Sequence, residues 1–105
     1  PYHGRVGGQV TLDEARECAK LCTLNILAQV KQAVGELSFV KQVVKISVFV
    51  ASEPSFVDQH LVANGASELL GQVFGEAGKH ARSAVGVTSL PLDSPVEIEA
   101  IFEVE

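Results

Sequence analysis

The sequence predicts an α+β fold, a mixed sheet with two helices packed on one of its faces. Three observations carry the prediction. Apolar residues between positions 12 and 34 recur at three- and four-residue steps, the period of an amphipathic helix. A second, shorter helical pattern lies within residues 56–75. Three further stretches are β-branched or alternate in polarity and read as strands. The predicted order is helix, strand, helix, strand, strand. At 105 residues the chain is expected to form one domain, residues 1–105.

Residues 1–10, "PYHGRVGGQV", are Gly-rich and are expected to be irregular. "TLDE" then forms a capping box, in which Thr11 accepts from the amide of Glu14 and Glu14 reaches back to Thr11. The helix that follows runs from Leu12 to Val34. Its apolar stripe is Ala15, Cys18, Ala19, Cys22, Ile26, Val30, Ala33 and Val34. Asp13 and Glu14 sit where the helix dipole favours negative charge. Gly35 is suited to end it. "ELSFVKQ" reads as a turn. "VVKISVFV", residues 43–50, is too short for a helix and reads as a strand buried on both faces or nearly so. In the second helix "SELLGQVFG" is the clearest part, and Asn64-Gly65 blurs its start. "EAGKH" is a turn, "ARSAVGV" a strand, "SLPLDSP" a turn and "VEIEAIFEV" a strand. In the last, Val96, Ile98, Ala100, Phe102 and Val104 share one face, opposite Glu97, Glu99, Ile101 and Glu103.

Composition narrows the partners. Thirteen acidic against eight basic residues leave a net charge of −5, and the bases are scattered singly. A nucleic-acid backbone needs clustered Lys and Arg, so no nucleic-acid partner is expected. No apolar run approaches the length of a membrane span, and the first ten residues lack the apolar core of a signal peptide. No membrane association is expected. Cys18 and Cys22 share a helix face and read as two small buried apolar residues, with His3, His60 and His80 too scattered for a metal site. Without a disulfide framework, a cytoplasmic location is expected.

Arg82 opens an apolar strand in "HARSAVGVTSLP". A permanently charged guanidinium there needs water or a fixed anion, and its planar fork matches a carboxylate. The residues alone leave two readings open, a solvated arginine paired with a neighbouring Glu and a ligand-binding arginine. The acids of the last strand read mostly as a solvated face that also protects an edge. Glu97 stands apart, because antiparallel pairing across "SLPLDSP" would bring it near Arg82, where it could hold a water for general-base chemistry. His80 reads as a turn residue, and Ser83 has no His-Asp motif to activate it.

"VVKISVFV", "FGEAGKHARSAVGVTSLP" and "VEIEAIFEV", in this order and spacing, resemble the reactive-intermediate deaminase family, also called YjgF-like. The resemblance extends from Gly7 onward, and A-R-S-A-V-x-V-x-x-L-P with E-I-E-A is its specific part. It implies a chorismate-mutase-like α+β fold, a homotrimer, and clefts between subunits that bind small carboxylate-bearing molecules. It implies hydrolysis of 2-imino acids to 2-keto acids and ammonia with no metal or organic cofactor. The family's carboxylate-binding arginine falls on Arg82, the ligand-contacting backbone on Ala84, and the acid that orients water on Glu97. Asn64 is the candidate for the helix asparagine that lines the cleft, although it stands farther from Phe74 than the family spacing. The family also places two strands before its first helix, one with a tyrosine and one with an S-G-Q motif, and neither occurs in this sequence.

Two functions are consistent with these expectations. One is an imine or enamine deaminase in which Arg82 anchors the substrate carboxylate, Ala84 positions the imine and Glu97 orients water. The other is a non-catalytic trimeric protein that binds or senses a small carboxylate. A ribonuclease role ranks third, given the acidity and the lack of paired histidines.

Overall fold

The computed structural model describes residues 2–105. Helix α1 spans Leu12–Val34, strand β1 Val40–Ala51, helix α2 Gln59–Phe74, strand β2 Ala81–Val87 and strand β3 Val96–Val104. Both sides of the expected capping box are present. The Thr11 hydroxyl accepts from the Glu14 amide at 3.1 Å, and the Glu14 carboxylate accepts from the Thr11 amide at 3.0 Å. Gly35, at φ 95°, ends α1, and its amide donates to the Lys31 carbonyl. Single 3-10 turns occupy Leu37–Phe39, Gly75–Gly78 and Pro91–Asp93.

The two helices pack on a three-stranded mixed sheet of order β2-β1-β3. Strand β1 is central. It runs parallel to β2, with Ile46 opposite Arg82 and Val48 opposite Ala84, and antiparallel to β3, with Val48 opposite Ile98 and Val50 opposite Val96. This overturns the expected antiparallel pairing of the last two strands, since β1 separates β2 from β3. The link from β1 to β2 passes through α2, which is the crossover that parallel neighbours require. The "SLPLDSP" segment then carries the chain past β1 to its other side.

The core lies between the helices and one sheet face. Ile46, Val48 and Val50 of β1 are buried there against Ala15, Cys18, Ala19 and Leu27 of α1 and Val62, Ala63, Ala66 and Leu70 of α2. Register shifts occur between Val40 and Gln42 and between Val43 and Lys45. The second lets Val43 and Ile46, an odd number of residues apart, both be buried. Strand β1 is not buried on both faces as expected. Val44 and Lys45 are exposed, and Ser47 and Phe49 are half-buried. Helices cover only one side of the sheet, and the apolar run of β1 hides the alternation that would have revealed this.

The buried stripe of α1 is also rotated from the expected one. Thr23 and Leu27 are buried, whereas Cys22, Ile26 and Val30 are half-buried and Ala33 is exposed. Thr23 is tolerated in the core because its hydroxyl donates to the Ala19 carbonyl at 2.8 Å. The two helices approach closely at Gly65, where a Cβ would stand 2.5 Å from the Arg16 carbonyl oxygen. That contact accounts for a glycine inside α2. Residues 5–10 form a tight loop pinned beyond the end of β1: the Val6 amide donates to Ala51, and the Glu53 amide donates to Val6. Val6 and Val10 are thereby buried, a role that no periodicity announces.

Candidate functional site

Strand β2 places Arg82, Ala84 and Gly86 on the helix-covered face, level with buried Ile46, Val48 and Val50. Arg82 is the second residue of the strand, where the apolar layer ends. Its side chain lies along α2. Nη1 donates to Asn64 Oδ1 at 2.8 Å and to Ser67 Oγ at 3.0 Å, and Nη2 donates to the His60 carbonyl at 3.3 Å. His60, Asn64 and Ser67 follow each other at steps of four and three, so they form one face of the helix. Asn64 therefore meets Arg82 directly, despite its spacing from Phe74.

All three acceptors are neutral. The chain has three arginines. Arg5 pairs with Glu53 at 3.5 Å and Arg16 with Glu68 at 3.3 Å, while Arg82 has no carboxylate within ion-pair distance among the described residues. The solvated pair with a neighbouring Glu is thus not what holds Arg82. A guanidinium offers five N–H donors. Five less the three in use leaves two, enough for a two-pronged contact with an incoming carboxylate.

The network continues from Ser67. Its Oγ lies 3.0 Å from His80 Nε2, and His80 Nδ1 bonds the carbonyl of Gly78. His80 is therefore more than a turn residue. Ser67, His80 and Arg82, with Gly71, Gly75 and Lys79, line an open depression of about 480 Å³. Sequence reasoning missed Ser67. The available signal was its position, three residues beyond Asn64 on the helix face that meets Arg82.

Ala84 is half-buried against the core, beside Arg82 on the same face. Strand β2 is a sheet edge, so alternate backbone groups along its outer side have no strand partner. Glu97 is placed differently. It stands opposite Phe49, on the face away from the helices, with β1 between it and β2. Within one chain Glu97 and Arg82 are on opposite faces of the sheet. The strand pairing that was to bring them together does not form.

Neither cysteine lines the depression. Burial pushes the Cys18 and Cys22 thiols above the ordinary value, and Cys22 Sγ faces the Val96 carbonyl at 3.8 Å. Among the described residues no three His, Cys, Asp or Glu side chains gather as metal ligands. No described helix is long and apolar enough to cross a membrane.

Comparison with known proteins gives one consistent result. The family model described as "YjgF/chorismate_mutase-like, putative endoribonuclease" matches residues 1–103. Protein TCP17 of Trypanosoma cruzi is 48% identical over 101 residues, which are 95% of this chain and 63% of that protein. The crystal structure of Atu1372 from Agrobacterium tumefaciens, a protein of unknown function, superposes with a TM-score of 0.97 at 54% identity, over 98% of this chain and 66% of that one. A "putative endoribonuclease" from Shewanella oneidensis MR-1 superposes with a TM-score of 0.95 at 36% identity, over 98% and 68%. The chain thus spans about two thirds of the length of these relatives.

Proposed function

Given that the chain belongs to the YjgF/chorismate mutase-like family, we propose that it binds a small carboxylate-bearing molecule at Arg82 and hydrolyses 2-imino acids to 2-keto acids and ammonia. The observation that carries this reading is the state of Arg82. Three neutral acceptors hold its guanidinium in place, no described carboxylate neutralises it, and two N–H donors are free. Holding the fork in advance lowers the ordering cost that binding would otherwise carry. In this mechanism Arg82 anchors the carboxylate, and the backbone at Ala84 positions the imine. Glu97 accepts a proton from the attacking water, whose oxygen bonds the imine carbon. Glu97 returns that proton to the nitrogen to give the carbinolamine, whose hydroxyl proton then passes to the amine as the C–N bond breaks, leaving the keto group and ammonia.

Arg82 and Glu97 of one chain lie on opposite sheet faces, so the reaction needs Glu97 from a second copy. Family members are typically oligomeric. The face of the sheet without helices carries exposed Val44, Val85 and Ile101 beside half-buried Phe49, an apolar surface suited to another copy. A homotrimer with these faces turned inward supplies that second copy. The separation of Arg82 from Glu97 also favours a second reading, a trimeric carboxylate-binding or sensing protein without turnover.

Keto-acid titration by calorimetry, coupled with an imine-hydrolysis assay, tests both. Arg82→Ala is expected to weaken binding by about 1.5–3 kcal/mol, roughly ten- to a hundredfold. Arg82→Lys keeps the charge, loses the fork and also weakens binding. Glu97→Gln is expected to retain keto-acid binding while turnover falls. Unchanged binding in Arg82→Ala removes Arg82 from the site. Binding without hydrolysis of any imine supports the sensor.

A further inference from the structure

The bonds that continue from Ser67 have the form of an activated nucleophile rather than of an arginine clamp. The Gly78 carbonyl can only accept, so in the neutral imidazole of His80 it fixes the proton on Nδ1. Nε2 is then an acceptor, and the group 3.0 Å from it is the Ser67 hydroxyl, which must donate. Arg82 Nη1 meanwhile donates to the same Oγ at 3.0 Å. With Arg82 beside the serine oxygen, the serine proton is directed at a base and the base is oriented by a third group. Nucleophilic catalysis requires this set of relations. The neighbouring space is open, since beyond the adjacent backbone nothing lies within 4 Å of where a Cβ would stand on Gly71 or Gly75. A side chain at Gly78, by contrast, would collide with the Leu70 backbone, so the turn that presents the orienting carbonyl is tightly held.

We infer that Ser67 and His80 form a catalytic dyad that cleaves small carboxylic esters, with the Gly78 carbonyl orienting the base and the two free N–H donors of Arg82 stabilising the oxyanion that develops on the substrate's carbonyl oxygen. Ser67 Oγ bonds the acyl carbon while His80 Nε2 takes its proton. The bond from that carbon to the leaving oxygen breaks, and His80 passes the proton to the departing alkoxide. Water then adds to the acyl-serine by the same route and releases a carboxylic acid and the free serine. Water is the only co-reactant.

This activity goes beyond imine hydrolysis, and the two readings fail separately. Acylation is read as a covalent adduct on Ser67 with no imine present, and deamination as ammonia release with no ester present. The test is to incubate the whole chain with p-nitrophenyl acetate at neutral pH, follow nitrophenolate release, and map the acetylated residue by peptide mass spectrometry. A burst with the acetyl group on Ser67 is expected, absent in Ser67→Ala. His80→Gln should slow Ser67 acylation about a hundredfold or more. Ser67→Cys should keep acylation at position 67 and its dependence on His80, which separates loss of the nucleophile from loss of the fold. The inference is overturned if acetylation falls on Lys79 or other residues and spares Ser67. It is equally overturned if Ser67 reacts no faster than other exposed serines, or if His80→Gln leaves its rate unchanged.

Discussion

The two faces of the sheet are made from the same three strands and differ in almost everything else. On the helix-covered face, Ile46, Val48 and Val50 are buried, and the one strongly polar group, Arg82, sits at the edge where α2 supplies its acceptors. On the other face, Phe49, Val85 and Ile101 stand among Ser47, Glu97 and Glu99 with no described element over them. The first face is a core that the chain completes by itself. The second has apolar residues that no described element covers. The proposed chemistry divides the same way, with anchoring on the closed face and water activation on the open one.

The sharpest way to break this comparison is to make the same kind of change on each face. Ile46→Ala should cost about 2–5 kcal/mol, because the helices leave a cavity that cannot fully collapse. A urea midpoint within experimental error of the wild type would show that this face is not the core. Next is the helix contact above it. Gly65→Ala forces a methyl into the Arg16 carbonyl, which belongs to a helix backbone and cannot swing aside. A loss of about 1–3 kcal/mol is expected, and a gain, as for an exposed helical glycine, would mean that α1 and α2 pack less closely.

Changes on the open face should act on assembly instead. Ile101, at 59% exposure, is far from finished as a core residue. Ile101→Lys should shift the dissociated chain's stability by no more than about 0.5 kcal/mol, while sedimentation should show loss of the proposed trimer. An intact oligomer in this variant would assign the association to another surface. The smallest effect belongs to the thiols. Their pKa values are raised by burial, so the folded state holds its thiol protons more tightly than the unfolded chain. Stability from this source is complete below the ordinary thiol value and is lost as pH rises above it. Cys18→Ala with Cys22→Ala should flatten that alkaline decline, measured as urea midpoints from neutral to alkaline pH. An unchanged slope would place both thiols in water.

Legibility from sequence followed the range of the interactions. The Thr11–Glu14 capping box, the length of α1 and its stop at Gly35 depend on residues within four positions of each other, and all were readable in advance. The inward face of β3, led by Val96, Ile98, Ala100 and Phe102, follows from alternation alone. The buried roles of Val6 and Val10 were not readable, because a Gly-rich loop has no period and its burial comes from bonds to Ala51 and Glu53. Arg82 could be singled out as a charge needing a partner, but its partners could not. Asn64 and Ser67 reach it only because α2 crosses over β2.

What the sequence determined by itself is therefore the set of elements, their caps and the alternation within each strand, since backbone geometry turns local spacing into faces without reference to the rest of the chain. The tertiary structure alone decided which strand is central, which side of β1 is covered, and which polar groups meet. Alternation says that Arg82 and Glu97 each lie on some face; it does not say whether it is the same one. That depends on whether β3 pairs with β2 or crosses to the far side of β1, a choice made by how two helices and three strands bury the most apolar surface together. Arg82 lies level with Ile46 and Glu97 opposite Phe49, on opposite faces of the sheet, so in the proposed mechanism a second copy supplies the Glu97 that one chain does not bring to Arg82.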